Sequence, residues 1–439
     1  MRKLGGVHTP HNKGTAHMQS ELLPIPPEVV IPVSMHTGAP AKPVVAAGDF
    51  VKVGQLIAEA GGAVSSPVHS SVSGTVVSVG DVAYTTGLKT MAVRIASDGK
   101  QTLFEAPQIP AVSNTREFLD AVRDSGVVGL GGAGYPTYVK LRLKDTVKLD
   151  YIIVNGAECE PYITSDTRTM VEDAEYVLEG ILLLKEYIPA RNIVIGIEDN
   201  KAEAIEKMRG YCAGVQGVEV KVLPSQYPQG ERKVLVYNVT GRIVPEGARL
   251  PDVGCIVINC TTVAAIAGYI KTGVPLVSRR VTVDGSAVSA PKNVIAPIGA
   301  PVSALFDFCG GFVQEPKKIL SGGPMMGIAI PDVSMPVVKT TNAVLALDKK
   351  DAAVPAETVC IRCGRCVRGC PMKLMPVEIE TAYRNGKPEL LGMYKVNLCL
   401  ECGCCAYVCP AKRQLTQTMM LSKQMLDDHR KPASRGGAS

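Results

Sequence analysis

The sequence predicts a multidomain chain of α/β and α+β character, and three observations lead there. Its 439 residues exceed what one hydrophobic core usually organises. A glycine-rich stretch, "GVVGLGGAGYPTYVKLRLK" at Gly126 to Lys144, precedes an apolar run from Tyr151 to Val154 that ends in polar residues, the pattern of an α/β unit. Eight of the 14 cysteines fall in two near-copies of one motif close to the C-terminus, which marks a separate small module.

Composition narrows the class. Hydrophobic residues at 46% and charged residues at 20% describe a folded protein. A net charge of +6, no Trp and no dense Lys/Arg run among aromatics argue against nucleic acid, while leaving room for a basic docking face. The start, "MRKLGGVHTPHNKGTAH", lacks an apolar signal core, and no stretch approaches the roughly 18 apolar residues of a membrane span. The expectation is a cytoplasmic protein that reaches a membrane only through a partner.

From the N-terminus, residues 1–27 read as an arm. The two histidines of "GGVHTPHNK" (Gly5 to Lys13) sit in a Gly/Pro-rich segment that suits a loop lying over a neighbour better than a metal site. Residues 28–105 alternate short apolar runs with Gly-Asp, Val-Gly and Ser-Gly turns, a compact β-module in which His69 is a packed or surface histidine. Residues 112–250 hold the glycine-rich stretch. Gly129, Gly131, Gly132 and Gly134 let the backbone approach a phosphate or a flat ring, and Lys140 follows as a counter-charge. Ligand-free glycine turns are common too, so this loop alone leaves both readings open. Twenty residues on, Asn155, Gly156, Glu158, Glu160 and Asp166 gather at a strand's C-terminal end, where open α/β sheets place ligands; an acidic helix start is the plainer alternative. Residues 251–330 give two short strands around Asp284 and Gly285 and a helix near Val302, with Met325 and Met326 as core gap-fillers.

The cysteine spacing over residues 345–425 is the most restrictive signal. Cys360, Cys363, Cys366 and Cys370 with Pro371, then Cys399, Cys402, Cys405 and Cys409 with Pro410, repeat the C-x2-C-x2-C-x3-C-P run of two-cluster ferredoxins, whose fourth Cys serves the other cluster. That rule assigns Cys360, Cys363, Cys366 and Cys409 to one [4Fe-4S] cluster and Cys399, Cys402, Cys405 and Cys370 to the other. Zinc sites use paired C-x2-C units, and a disulfide framework conflicts with the missing signal. Cys404 reads as a bystander. A helix from Pro376 to Tyr383, a turn at Asn385–Gly386 and a second helix separate the runs, and residues 426–439 read as a flexible tail.

"GLGGAGYPT" with Lys140, "NGAECEP", "QYPQGERK" (Gln226 to Lys233) and "VINCTTVAAI" (Val257 to Ile266) resemble the flavin-carrying subunit of respiratory complex I. The resemblance implies a Rossmann-like α/β domain with FMN and NAD(H) on Gly129, Gly131, Gly132, Gly134, Lys140, Asn155, Glu158, Tyr227, Gly230, Glu231 and Asn259, and a catalytic part for Glu158 and Glu231. Ala157, Cys159, Arg232 and Cys260 depart from that family's pattern. Val44 to Val79 resembles a biotinyl/lipoyl-type barrel-sandwich without the carrier lysine, and Pro275 to Gly311 resembles the β-grasp (SLBB) domain of complex I relatives. The whole order, barrel-sandwich, flavin domain, β-grasp and helical ferredoxin module, resembles the C subunits of Rnf complexes. That resemblance implies a peripheral subunit on the cytoplasmic face of the cell membrane. It would pass electrons between NAD(H), FMN and two [4Fe-4S] clusters within a ferredoxin:NAD oxidoreductase that moves Na+ or H+, with the other Rnf subunits as partners. A cobalamin reductase of the PduS kind and a non-enzymatic iron-sulfur adaptor are the alternatives.

Overall fold

A computed structural model of the chain describes residues 4–83, 89–105, 109–144 and 146–431. The first β-module is two small sheets face to face. Glu28–Pro32, Lys89–Ser97, Gly74–Ala83 and Phe50–Val51 pair antiparallel in that order, and Lys42–Pro43, Leu56–Glu59 and Val68–His69 form the second sheet. Alternate residues such as Val29, Ile31, Val76, Val93 and Ile95 turn inward and are sealed from water. The hairpin "SSPVHSSVSG", where a carrier protein would display its lysine, is buried throughout. Burial holds the His69 imidazole neutral, down to about 3.

The next unit is a parallel sheet in the order Val218–Leu223, Ala190–Glu198, Leu149–Gly156, Cys255–Asn259. Runs such as "YIIV", "NIVIGI" and "CIVI" supply the β-branched residues that a sheet covered on both faces requires, and Ile152, Val154, Ile195 and Ile258 are fully buried. Helices Thr115–Asp124, Ala174–Tyr187 and Cys260–Thr272 pack on one side. Because Cys255–Asn259 is hydrogen-bonded to Leu149–Gly156, and helix Cys260–Thr272 packs on that sheet, this unit runs past the boundary expected at residue 250.

The third unit is a six-stranded mixed sheet, Glu21–Leu22, Lys292–Pro297, Ser278–Asp284, Ala343–Leu347, Lys318–Ser321, Ile328–Ala329, backed by helix Val302–Phe308. Its fourth strand comes from beyond residue 330 and its edge strand from within the first 27 residues, so both expected boundaries shift for the same reason. Each segment completes a ladder that would otherwise stay unpaired. Met325 packs against the ferredoxin module, whereas Met326 is exposed rather than core.

The last unit is helical: Arg365–Gly369, Pro376–Arg384, Pro388–Met393, Cys404–Tyr407 and Leu415–Arg430. The final helix carries Leu415, Met419 and Leu426 inward and continues through the start of the expected tail, of which residues 432–439 lie outside the described residues. Among the described residues no helix is long and apolar enough to cross a membrane.

The arm ties these units together. Val7 exchanges backbone hydrogen bonds with Tyr227, and a Cβ at Gly5 would stand 2.3 Å from the Cys370 carbonyl oxygen. The Lys13 ammonium donates to the carbonyls of Glu158, Glu160 and Ile163. His8 and His11 are exposed, as a covering loop requires.

Candidate functional site

The glycine-rich loop lies at the C-terminal edge of the parallel sheet, anchored by Leu130 N–H to Thr262 Oγ1 at 3.0 Å. Its glycines have different reasons to be there. A Cβ on Gly131 would meet the Asn259 amide at 3.2 Å, and one on Gly134 would meet Thr340 at 3.0 Å. A Cβ on Gly132 would meet no protein atom within 4 Å, and its φ of +116° aims that position into open space. Behind the loop, Lys339 is fully buried and donates to the carbonyls of Pro67 and Gly126, so the β-module's sealed hairpin fixes the base of the loop.

Lys140 sits on helix Thr137–Leu141 with Val257 O as its hydrogen-bond partner, at 3.2 Å. Its ammonium is half-buried and enters no ion pair among the described residues. Burial, with Arg232 adding repulsion, pushes it down to about 8. A half-buried cation without an acidic partner among the described residues, beside a glycine loop opening outward, fits the phosphate end of FMN.

Asn259 caps helix Cys260–Thr272, accepting from Thr261 N and Thr262 N, and donates to Asp166 Oδ2 at 2.7 Å. Asn155 donates to Gly230 O at 2.9 Å, and a Cβ at Gly230 would lie 2.2 Å from the Ala157 carbonyl oxygen. That pair locks "NGAECEP" against "QYPQGERK". Tyr227 is buried with its hydroxyl facing the Glu160 carboxylate, which burial pushes up to about 7.

The two glutamates given a catalytic part are occupied otherwise. Glu158 accepts from Asp166 N, Thr167 N and Thr167 Oγ1, at 2.7, 3.3 and 2.7 Å, at the start of helix Ser165–Glu172. Glu231 caps helix Arg232–Thr240 through Lys233 N and Val234 N. Both carboxylates hold helix N-termini and so position the loops around them. Cys159 accepts from Gly230 N–H at 3.4 Å and burial pushes it up to about 12, an inert thiol.

In the helical module Cys370, Cys399, Cys402 and Cys405 line one cavity, while Cys366 and Cys409 pack together in the other lobe. Cys404 also borders the cavity, but its Sγ donates to Tyr227 O at 3.8 Å. The two loops repeat one geometry. Arg362 N–H and Glu401 N–H donate to Cys360 Sγ and Cys399 Sγ, each at 3.4 Å, from residues in the left-handed region, and Gly364 and Gly403 follow with φ of 70° and 79°. Backbone donors aimed at thiolates are what cluster sulfurs require. The cavity's lobe abuts the flavin unit through Val7, Tyr227, Cys402 and Cys404, with Cys159 and Met325 at the margin.

Sequence reasoning misses Lys13, which fastens the 158–163 loop, and the buried Lys201–Glu198 pair at 2.9 Å beneath it. In the stretch that carries Lys13, the histidines are the conspicuous letters, yet His11 reaches this loop only through its backbone carbonyl, which accepts from Tyr162 N–H at 3.0 Å.

Family models match the chain in the same order as its units: the RnfC barrel sandwich hybrid domain over residues 1–100, the Nuo51 FMN-binding domain over 122–268, the SLBB domain over 280–329 and a 4Fe-4S dicluster domain over 359–412. The chain is 44% identical to the C subunit of the proton-translocating ferredoxin:NAD(+) oxidoreductase complex of Clostridium ljungdahlii, over 85% of this chain and 82% of the relative. It is 42% identical to the C subunit of the Na(+)-translocating complex of Acetobacterium woodii, over 87% of each. It is 39% identical to the C subunit of the ion-translocating oxidoreductase complex of Rhodobacter capsulatus, over 90% of this chain and 77% of the relative. An NAD+-reducing [NiFe]-hydrogenase in its H2-reduced state shares the fold at a TM-score of 0.51 and 17% identity, over 75% of this chain and 66% of that one. The chain belongs to the family of C subunits of ion-translocating ferredoxin:NAD(+) oxidoreductase complexes.

Proposed function

We propose that this chain is the peripheral NAD(H)-reactive subunit of such a complex, held on the cytoplasmic face of the membrane by the other subunits. It transfers electrons between NAD(H) and two [4Fe-4S] clusters by way of FMN, as part of ion-coupled ferredoxin:NAD oxidoreduction. The observation that carries the reading is the junction at Tyr227: the outward-facing glycine loop and the cysteine cavity belong to different units, yet Tyr227 touches both the flavin flank and Cys404.

When bound, FMN exchanges a hydride with nicotinamide and exchanges single electrons with the clusters. The chain supplies placement. Gly132 leaves room for the cofactor, Lys140 neutralises its phosphate, and Gly131 lets the loop lie on Asn259. Asn155 and Gly230 hold the two flanking loops at a fixed separation, and Glu158 and Glu231 fix the helices from which those loops depart. Cys360, Cys363, Cys366 and Cys409 hold the outer cluster and Cys399, Cys402, Cys405 and Cys370 the inner one.

A cofactor inventory tests this: the purified chain should carry flavin and two clusters' worth of iron and acid-labile sulfide, and NADH should reduce both flavin and clusters. A protein with full iron but no flavin and no NADH reduction would refute it.

Lys140 adds a pH dependence. In the flavin-free protein it is protonated below about 8, where it attracts the phosphate, and neutral above. FMN affinity should therefore hold steady up to about pH 7, weaken about twofold by pH 8 and about fivefold more from pH 8 to pH 9. Lys140→Arg should flatten the profile because a guanidinium stays charged. Fluorescence titration of apoprotein with FMN measures both; identical profiles for the two proteins would remove Lys140 from the phosphate site.

A further inference from the structure

The two cysteine loops are copies of one geometry in opposite surroundings, so each serves as a control for the other. Aligned on their ligands, Arg362, Arg365 and Arg368 of the first loop correspond to Glu401, Cys404 and Tyr407 of the second. The second loop is the more covered: Glu401 is paired with Lys423, Cys404 is 1% exposed, and Tyr407, itself exposed, donates to the His8 carbonyl. The first loop faces out. Val359 is 83% and Ile361 70% exposed, all three arginines are exposed, and Cys360 and Cys363 keep part of their surface open to solvent.

Holding a cluster does not demand these arginines, since the inner loop does without them. Arg368 lends one bond to the Cys363 carbonyl, at 3.1 Å. Arg362 and Arg365 enter no side-chain hydrogen bond or ion pair among the described residues, and no acidic residue lies between Val359 and Cys370. Exposed cations with no acidic partner among the described residues, interleaved with exposed apolar side chains on a cysteine-ligand loop, are charge placed for something that arrives.

We propose that the loop Val359–Cys370 is the docking surface for an acidic one-electron carrier protein, making the Cys360/Cys363/Cys366/Cys409 cluster the chain's electron gate to the outside. Val359 and Ile361 form the dry centre of the contact, and Arg362, Arg365 and Arg368 steer an acidic rim onto it. The docked pair exchanges one electron: the carrier gains what this chain loses, or the reverse, with no bond formed and no further reactant needed. The proposal rests on the oxidoreductase reading above and adds the direction of the wire, with the inner cluster against the flavin unit and the outer one at the exit.

The test uses the holoprotein, first checked for flavin, iron and NADH-to-ferricyanide activity, so that failure of the oxidoreductase reading shows itself before docking is measured. A small acidic two-[4Fe-4S] ferredoxin serves as probe, with basic cytochrome c and phosphatidylglycerol vesicles as contrasts, at about 50 and about 300 mM salt. Ferredoxin should bind, lose about tenfold in affinity at the higher salt, and lose at least that again in Val359→Glu/Arg365→Glu, whose NADH-to-ferricyanide rate stays at wild type. Should the double variant lose iron, wild-type salt dependence and the single variant Arg365→Gln decide by the same readings. Equal ferredoxin affinity in wild type and variants, preference for cytochrome c, or binding to vesicles without binding to ferredoxin would each overturn the proposal.

Discussion

Gly132→Val is expected to give a folded, brown protein that lacks flavin, no longer oxidises NADH, and still takes up electrons from dithionite. The residue is chosen by geometry. Side chains at Gly131 and Gly134 would strike Asn259 and Thr340, so loss of flavin there would be confounded by damage to the protein itself. At Gly132 a new side chain meets only open space, the space in which we propose the cofactor lies. A β-branched residue at φ +116° does carry strain of about 1–3 kcal/mol. Gly132→Ala carries much of that backbone cost with a smaller reach, so it should retain some flavin and unfold at nearly the same temperature as Gly132→Val. The cluster loops belong to a different unit and keep their iron. FMN at wild-type stoichiometry in Gly132→Val, with unchanged NADH oxidation, would show that the loop is no cradle and would favour the adaptor reading.

What can be read from the sequence divides along physical lines. Ligand spacing is local, so the eight cysteines and the helices between them are readable from one short segment. The parallel strands announce themselves as β-branched runs for the same reason. Domain boundaries are not local. Residues 255–259 complete a sheet begun at residue 149, and 343–347 fill the interior of a sheet whose neighbouring strands precede it by up to about sixty residues. Nothing in "CIVIN" or "AVLAL" names its partner strand. The glycines illustrate a second limit. "GLGGAG" advertises close backbone approach, but only the fold tells which glycine meets protein and which meets space. Glu158 and Glu231 illustrate a third: a glutamate near a cofactor loop and a glutamate capping a helix are the same letter. Lys13 stays hidden because its three acceptors are backbone carbonyls about 150 residues away, which carry no sequence signature.

Cys370→Ala should remove the inner cluster although Cys370 belongs to the first cysteine run. The side chain lines the cavity shared with Cys399, Cys402 and Cys405, whereas Cys366 is packed with Cys409, the placement that the proposed crossed ligation requires. An alanine leaves three thiolates for a cubane that takes four, and iron content should fall by about half. The position of that cluster makes the functional result more informative than the iron count. The cysteines that would hold it pack beside Tyr227 and the flavin unit, while those that would hold the remaining cluster sit on the exposed loop. NADH should therefore still drive ferricyanide reduction directly from the flavin, yet fail to reduce the surviving cluster, which dithionite reduces from solution. Iron analysis with EPR of NADH- and dithionite-treated samples separates the cases. Loss of the Cys360 cluster with the inner one intact would refute crossed ligation, and prompt reduction of the surviving cluster by NADH would show that electrons bypass the inner lobe.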